Sequence, residues 1–338
     1  MKIRSLALAS LFFVQFVRAT TITEDFSSDP LQHGWQVFGN PTLFRWNPTN
    51  QNLEVTWDST QTNSYFYQPL GTTVTRNDDF SITFDLRLQD IASGVEPGKT
   101  GPMQLAVGFL NLAVAISTNF MRGAYGSAPN VAEFDYYADG YYDYFGVIYP
   151  APATTAPAFI SGVNSFDYAP QILKVFENEL PTNQTVAVTM TYAASNQTAM
   201  LVLTTNGVPM VTLPGLALNG PNGFAATNDD FLVDTFSISS YSSFGDDYDS
   251  LLAHGTVANL HVSVLPPAQN LTGSFTNGSW QVQFSARPNW LFTLERTVDF
   301  QTWTRLPPTV SGITGTMSLT DTNPPAGHAL YRIRATRP

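Results

Sequence analysis

The densest gathering of groups able to do chemistry is the window Val131-Ala132-Glu133-Phe134-Asp135-Tyr136-Tyr137-Ala138-Asp139-Gly140-Tyr141-Tyr142-Asp143-Tyr144. Read as a β-strand, it puts Glu133, Asp135 and Tyr137 on one face and Phe134 and Tyr136 on the other. Two carboxylates then point the same way with their Cα atoms about 7 Å apart. Like charges so placed repel, and a hard cation is the simplest compensation. Ca²⁺ takes roughly six to eight oxygen ligands, and Asp139 and Asp143 follow in a stretch that Gly140 can turn back. The tyrosines at 136, 137, 141, 142 and 144 crowd the same window. Aromatic faces stack on sugar rings, while strand alternation sends every second one into a core.

Other chemistries find no foothold. The chain has no cysteine, which removes disulfides, thiolate nucleophiles and Cys-based metal sites. No serine sits in a Gly-x-Ser-x-Gly elbow, and there is no glycine-rich phosphate loop or dinucleotide fingerprint. His33, His254, His261 and His328 are scattered, none at a ligand spacing to another. The acidic run Gly245-Asp246-Asp247-Tyr248-Asp249 lacks the spacing and terminal Glu of an EF-hand loop and reads as a solvated turn. Fifteen Lys and Arg against 26 Asp and Glu give a formal charge of -11 with no basic concentration, which argues against a nucleic-acid partner.

The elements that must position this window are strands. The chain of 338 residues is 43% hydrophobic and 12% charged, too apolar for disorder and too long for one ordinary domain, so two folded units are expected. Alternating or β-branched runs recur at Leu53 to Trp57, Phe80 to Leu88, Val186 to Tyr192, Ala199 to Thr204 and Phe231 to Ser239. Val186 to Tyr192 and Ala199 to Thr205 flank a short polar connection and predict a hairpin. Leu105 to Ile116, interrupted by Gly108 and Asn111, is core rather than a membrane span. Pro266-Pro267 precedes a segment with six Arg against Glu295, Asp299 and Asp321, a reversal of charge that predicts a boundary there. The resulting organisation is residues 20–265 and a smaller strand-built module over 268–338. In the module, Trp280, Trp290 and Trp303 are assigned to the core.

At the start, Lys2 and Arg4 precede an apolar run from Ser5 to Val17, and Val17-Arg18-Ala19 suits a signal peptidase, so residues 1–19 read as a secretory signal. The run of 13 residues would span roughly 20 Å as a helix, short of the about 30 Å of a hydrocarbon core. A secreted, periplasmic or cell-surface chain without a remaining membrane anchor is expected. The lack of disulfides fits a bacterial host.

The window resembles the metal segment of the L-type (legume-type) lectins of the concanavalin A-like fold: Glu, any residue, Asp, any, aromatic, any, Asn, then an Asp a few residues on. Glu133, Asp135 and Tyr137 match in type and spacing, Asp139 stands at the Asn, and Asp143 lies at the expected distance. The resemblance implies that Asp135, the Tyr137 carbonyl, Asp139 and Asp143 would hold Ca²⁺, with Glu133, Asp135 and Asp143 facing a transition metal. Tyr144 stands where those lectins have their histidine. Where they carry an Asp ahead of a central strand, this chain reads Gly101-Pro102-Met103-Gln104-Leu105. Gln104, Tyr141 and Tyr142 are therefore the candidate ligand contacts, and a polysaccharide or glycan the implied partner. The implied fold is all-β: a jelly-roll sandwich followed by a small module similar to fibronectin-like terminal β modules of exported bacterial proteins.

The same fold hosts retaining glucanases, whose signature begins Glu, any, Asp, as Glu133 and Asp135 do. Retaining hydrolysis needs carboxyl groups about 5 to 5.5 Å apart, whereas six residues of strand set Glu133 and Asp139 about 20 Å apart. Lectin-like binding, glycoside hydrolysis through Glu133 and a structural or adhesive role without a ligand all stay open at this level. Secreted material is expected to begin at Thr20, and limited proteolysis to cut near Pro266, leaving two resistant fragments. N-terminal sequencing and mass analysis check both.

Overall fold

The alternation at Phe80 to Leu88 is realised in the strand Phe80–Ser93, where Phe80, Ile82, Phe84, Leu86 and Leu88 are buried and the residues between them are partly or fully exposed. The structure is a computed structural model that describes residues 20–118, 120, 130–137, 141–142, 148–149, 154–160, 179–217, 231–243, 249–288 and 290–336. The signal-like residues 1–19 and most of the acidic run 245–249 lie outside them. The described chain divides into a unit spanning Thr20–Val264 and a second beginning at Leu265.

In the larger unit, the described strands form two principal sheets. The first runs in order Val208–Ala217, Thr198–Thr205, Val186–Ala193, Phe80–Ser93, Asp249–Val264, Asn52–Asp58 and Phe44–Asn47, with Thr20–Glu24 and Gly101–Pro102 also paired to Asp249–Val264. The expected hairpin is present, joined through Ala194 to Gln197. The next turn, Asn206-Gly207, has φ of 51° and 75°, the left-handed pair that a two-residue turn between twisted strands demands. The second sheet runs Thr154–Ile160, Val131–Tyr137, Gln104–Leu110, Val233–Ser240, Ser64–Val74 and Gln36–Phe38.

Aromatic rings lock the two sheets together. Phe134 meets Phe84 edge-on at 5.7 Å, and Phe109 meets Phe80 at 5.0 Å. Trp35 stacks on Phe66 at 4.9 Å at the other end of the layer. The outward face of the first sheet keeps its polar, partly exposed residues. The six-stranded sheet differs, because every residue from Gln104 to Leu110 and from Val131 to Tyr136 is buried. Its outward face is covered at one edge by Leu112–Ala115, a helical turn capped by the Asn111 side chain, and by Phe120.

The smaller unit has two three-stranded sheets among its described residues. One orders Ala268–Thr276, Ser279–Ala286 and Gly315–Asp321, the other Thr304–Ser311, Leu291–Thr297 and Leu330–Thr336. Phe284, Phe292, Leu294 and Ile333 fill the space between them. Trp280 and Trp290 pack against this core as expected, Trp280 stacked on Tyr331 at 5.4 Å. Trp303 does not: its ring lies under the Arg332 guanidinium at 4.1 Å on the outward side. The edge strand Thr304–Ser311 contains Pro307 and Pro308, which carry no N–H to offer a neighbour.

One close approach sets the spacing of the second sheet. A Cβ added to Gly108 would lie 2.4 Å from the Cα of Glu133 and 2.6 Å from the Ala132 carbonyl oxygen. Both are backbone atoms of a central strand and cannot yield cheaply. Gly108→Ala is expected to destabilise the larger unit by about 3 kcal/mol, as overpacking of a closed core does. Urea unfolding of the purified chain measures it, and an unchanged midpoint would contradict the close approach.

Candidate functional site

Strand register brings the predicted residues into rows across the outward face of the six-stranded sheet. One row reads Phe38, Tyr65, Ser239, Ala106, Asp135 and Ala156, and the next Gln36, Tyr67, Ser237, Gly108, Glu133 and Ala158. Gln104 stands opposite Tyr137 in the row beyond Asp135. Glu133, Asp135 and Gln104 therefore share one face, as their spacing in sequence implied. Small neighbours, Ala106 and Gly108, separate the acids from the serines of the adjoining strand.

This face is polar and buried at once. Glu133 and Asp135 are each 1% exposed and Gln104 5%. A buried carboxylate is costly unless hydrogen bonds or charges compensate it. The Tyr241 hydroxyl donates to Glu133 Oε2 at 2.8 Å. Tyr65, stacked edge-on against Tyr241 at 5.9 Å, donates its hydroxyl to the Ala115 carbonyl at 3.1 Å. Burial, and secondarily the charge of Glu133, holds the Tyr65 phenol well above the ordinary tyrosine range. Ser237 and Ser239 join their hydroxyls at 2.9 Å on the same face. The Gln104 amide nitrogen is buried with no hydrogen-bond partner among the described residues. Such an atom is costly to bury and suits a ligand acceptor.

Asp139 and Asp143 lie outside the described residues. Tyr141 and Tyr142 form a short strand antiparallel to Ile148–Tyr149, which fixes their backbone register and no more. Among the described residues no three acids or histidines gather as a metal-holding group. Two of the histidines take structural partners: His254 Nδ1 lies 2.7 Å from Asp90 Oδ1, and His261 Nδ1 3.1 Å from Thr23 Oγ1.

Tyr65, Tyr241, Ser237 and Ser239 were not singled out from the sequence. The alternation Ser237-Ile238-Ser239 already carried the signal, since Ile238 faces the core and both serines face outward. Tyr241 is 108 positions from Glu133, and nothing local announces their contact.

Tyr241→Phe leaves a buried carboxylate one donor short and is expected to cost about 1.5–3 kcal/mol, the range for a hydrogen bond to a charged group. Tyr65→Phe removes a neutral bond and is expected to cost about 1 kcal/mol. Denaturant titration of the two variants side by side checks the ranking, which a larger loss for Tyr65→Phe would reverse.

No family model matches the sequence, and no curated protein matches it. Among solved structures the chain is similar to peanut lectin, at 13% identity over 74% of this chain and 100% of that one, with a TM-score of 0.42. A Lotus tetragonolobus seed lectin matches at 10% identity over 73% and 98%, TM-score 0.42, and lectin II from Ulex europaeus at 12% over 73% and 98%, TM-score 0.43. The all-β sandwich of two facing sheets is shown by the described strands themselves.

Proposed function

We propose that the larger unit is an exported carbohydrate-binding domain whose site lies at the outward face of the six-stranded sheet, where Gln104 meets the Glu133 window. One observation carries this reading. Glu133, Asp135 and Gln104 lie together on a buried face, and the Gln104 amide nitrogen there has no acceptor among the described residues. A sugar hydroxyl supplies that acceptor, and Tyr141 and Tyr142 supply faces for the ring.

The groups that the sequence offers to an ion here, carboxylates and a backbone carbonyl, are all oxygen donors, which suits a hard cation. Asp135, the Tyr137 carbonyl, Asp139 and Asp143 would hold Ca²⁺, with Glu133 beside them. When bound, the ion supplies positive charge next to the buried acids and fixes the segment that carries Tyr141 and Tyr142. The chain's own contribution is to hold Glu133 through Tyr241 and to keep Gln104 aimed along the same face.

A glycan array read with and without chelator tests the proposal, supported by melting curves. Wild type is expected to be retained on at least one polysaccharide, to lose retention with chelator, and to melt higher as Ca²⁺ is added. Asp135→Ala is expected to lose the Ca²⁺ response, and Tyr141→Ala or Tyr142→Ala to weaken retention about tenfold. Retention on no member of a broad panel would favour a structural or adhesive role. Release of reducing sugar that disappears in Glu133→Gln would make the unit a hydrolase instead.

A further inference from the structure

The smaller unit carries an arginine cluster that its core does not require. Glu295, in the central strand Leu291–Thr297, stands opposite Arg305 on one side and Arg332 on the other. Its carboxylate is 2% exposed because guanidinium groups enclose it. Arg332 holds Oε2 through Nη2 at 2.6 Å and Nε at 2.7 Å. Arg305 and Arg334 reach Oε1 only at 3.4 and 3.5 Å, and their side chains are 65% and 43% exposed. Among the described residues, Glu295 is the carboxylate these three arginines share, and the side chains of Arg305 and Arg334 remain largely open to solvent on this sheet surface. Across three strands, Arg305 and Arg332 stand roughly 10 Å apart, with the Trp303 ring beside them.

We propose that this face binds an acidic polysaccharide through its carboxylate or sulfate groups. The guanidinium fork matches a planar carboxylate or a sulfate edge in two parallel hydrogen bonds. Arg332 spends both nitrogens on the single oxygen Oε2 of Glu295, whereas the long contacts of Arg305 and Arg334 to Oε1 leave their forks facing solvent. The surface is a flat row on a sheet, suited to a polymer lying along it rather than to a small molecule in a pocket. Residues 268–338 have six arginines against three acids, whereas residues 20–267 are strongly acidic. A chain of net charge -11 is repelled by a polyanion as a whole, so any attraction must come from a local patch such as this one. The edge strand offers Pro307 and Pro308 where an added peptide strand would seek N–H groups, which disfavours an acidic peptide.

The full chain is applied to immobilised polygalacturonate, dextran sulfate, neutral dextran and poly-L-glutamate, and to vesicles containing an anionic phospholipid. Retention is expected on polygalacturonate or dextran sulfate, absent on neutral dextran, and weakened steeply as salt rises. The Arg305→Ala/Arg334→Ala variant is expected to bind at least tenfold more weakly with an unchanged melting temperature, because both side chains are exposed and Arg332 still pairs Glu295. Should the double variant not fold, the single changes Arg305→Gln and Arg334→Gln carry the comparison. Asp135→Ala, which alters the larger unit's site, is expected to leave this retention intact. Retention unchanged by the arginine substitutions, or stronger on poly-L-glutamate or on the vesicles than on either acidic polysaccharide, would overturn the proposal.

Discussion

A buried carboxylate on the wrong side of a sheet is the constraint around which the larger unit is arranged. Glu133 does not point into the space between the two sheets, where Phe134 and Tyr136 already lie; it points outward, yet it is almost completely enclosed. Enclosure of a charge is tolerable only with donors fixed in place, so the outward face needs Tyr241, and Tyr241 needs Tyr65 and Phe120 to hold its ring. Phe120 and Ala115 in turn are held by Asn63 and the Tyr65 hydroxyl. Gly108 completes the set by leaving room for the Glu133 backbone. The outward residues of the first sheet face water in the ordinary alternating way.

This difference explains what was legible in the sequence. Strands of the first sheet, such as Phe80–Ser93 and Val186–Ala193, have one wet face and show a clear period of two. Gln104–Leu110 is covered on both faces, so from Leu105 onward its residues form an apolar run in which alternation is invisible. The run was legible as core but not as a separate strand, because it flows into Leu112–Ala115 with only Asn111 between. The shared face of Glu133 and Asp135 followed from a spacing of two. Their enclosure did not, since it depends on Tyr65, Phe120 and Tyr241, which come from distant parts of the chain. Trp303 was misplaced for a similar reason: an aromatic residue in a β-rich module suggests a core, and only the position of Arg332 decides otherwise.

The smaller unit handles charge by a different economy. Glu295 and Arg296 are adjacent, opposite in sign, and yet do not pair, because alternation sends them to opposite faces of one strand. Arg296 instead donates to Asp321 Oδ2 at 2.7 Å, where the Tyr331 hydroxyl also donates at 2.9 Å. Burial and Asp321 raise the Tyr331 phenol above its usual range. One face of the strand thus has an arginine balanced by an acid and a phenol, the other an acid outnumbered by arginines. With a core built on a few residues such as Phe284 and Phe292, these paired clusters add order that a small apolar interior supplies sparingly.

The pairing of Thr20–Glu24 with the end of Asp249–Val264 has a temporal meaning. Thr20 lies opposite Val264 and Glu24 opposite Leu260, so the first strand of the larger unit finds its neighbour only at the last. During synthesis from the N-terminus, this strand exists long before the surface that receives it. Contacts so remote in sequence carry the full entropy of closing the intervening chain, which makes their formation slow. Until Leu260 to Val264 have emerged, the opening strand has an unsatisfied backbone and the edge it belongs to does not exist. Completion of the sandwich is thereby tied to completion of the unit's chain.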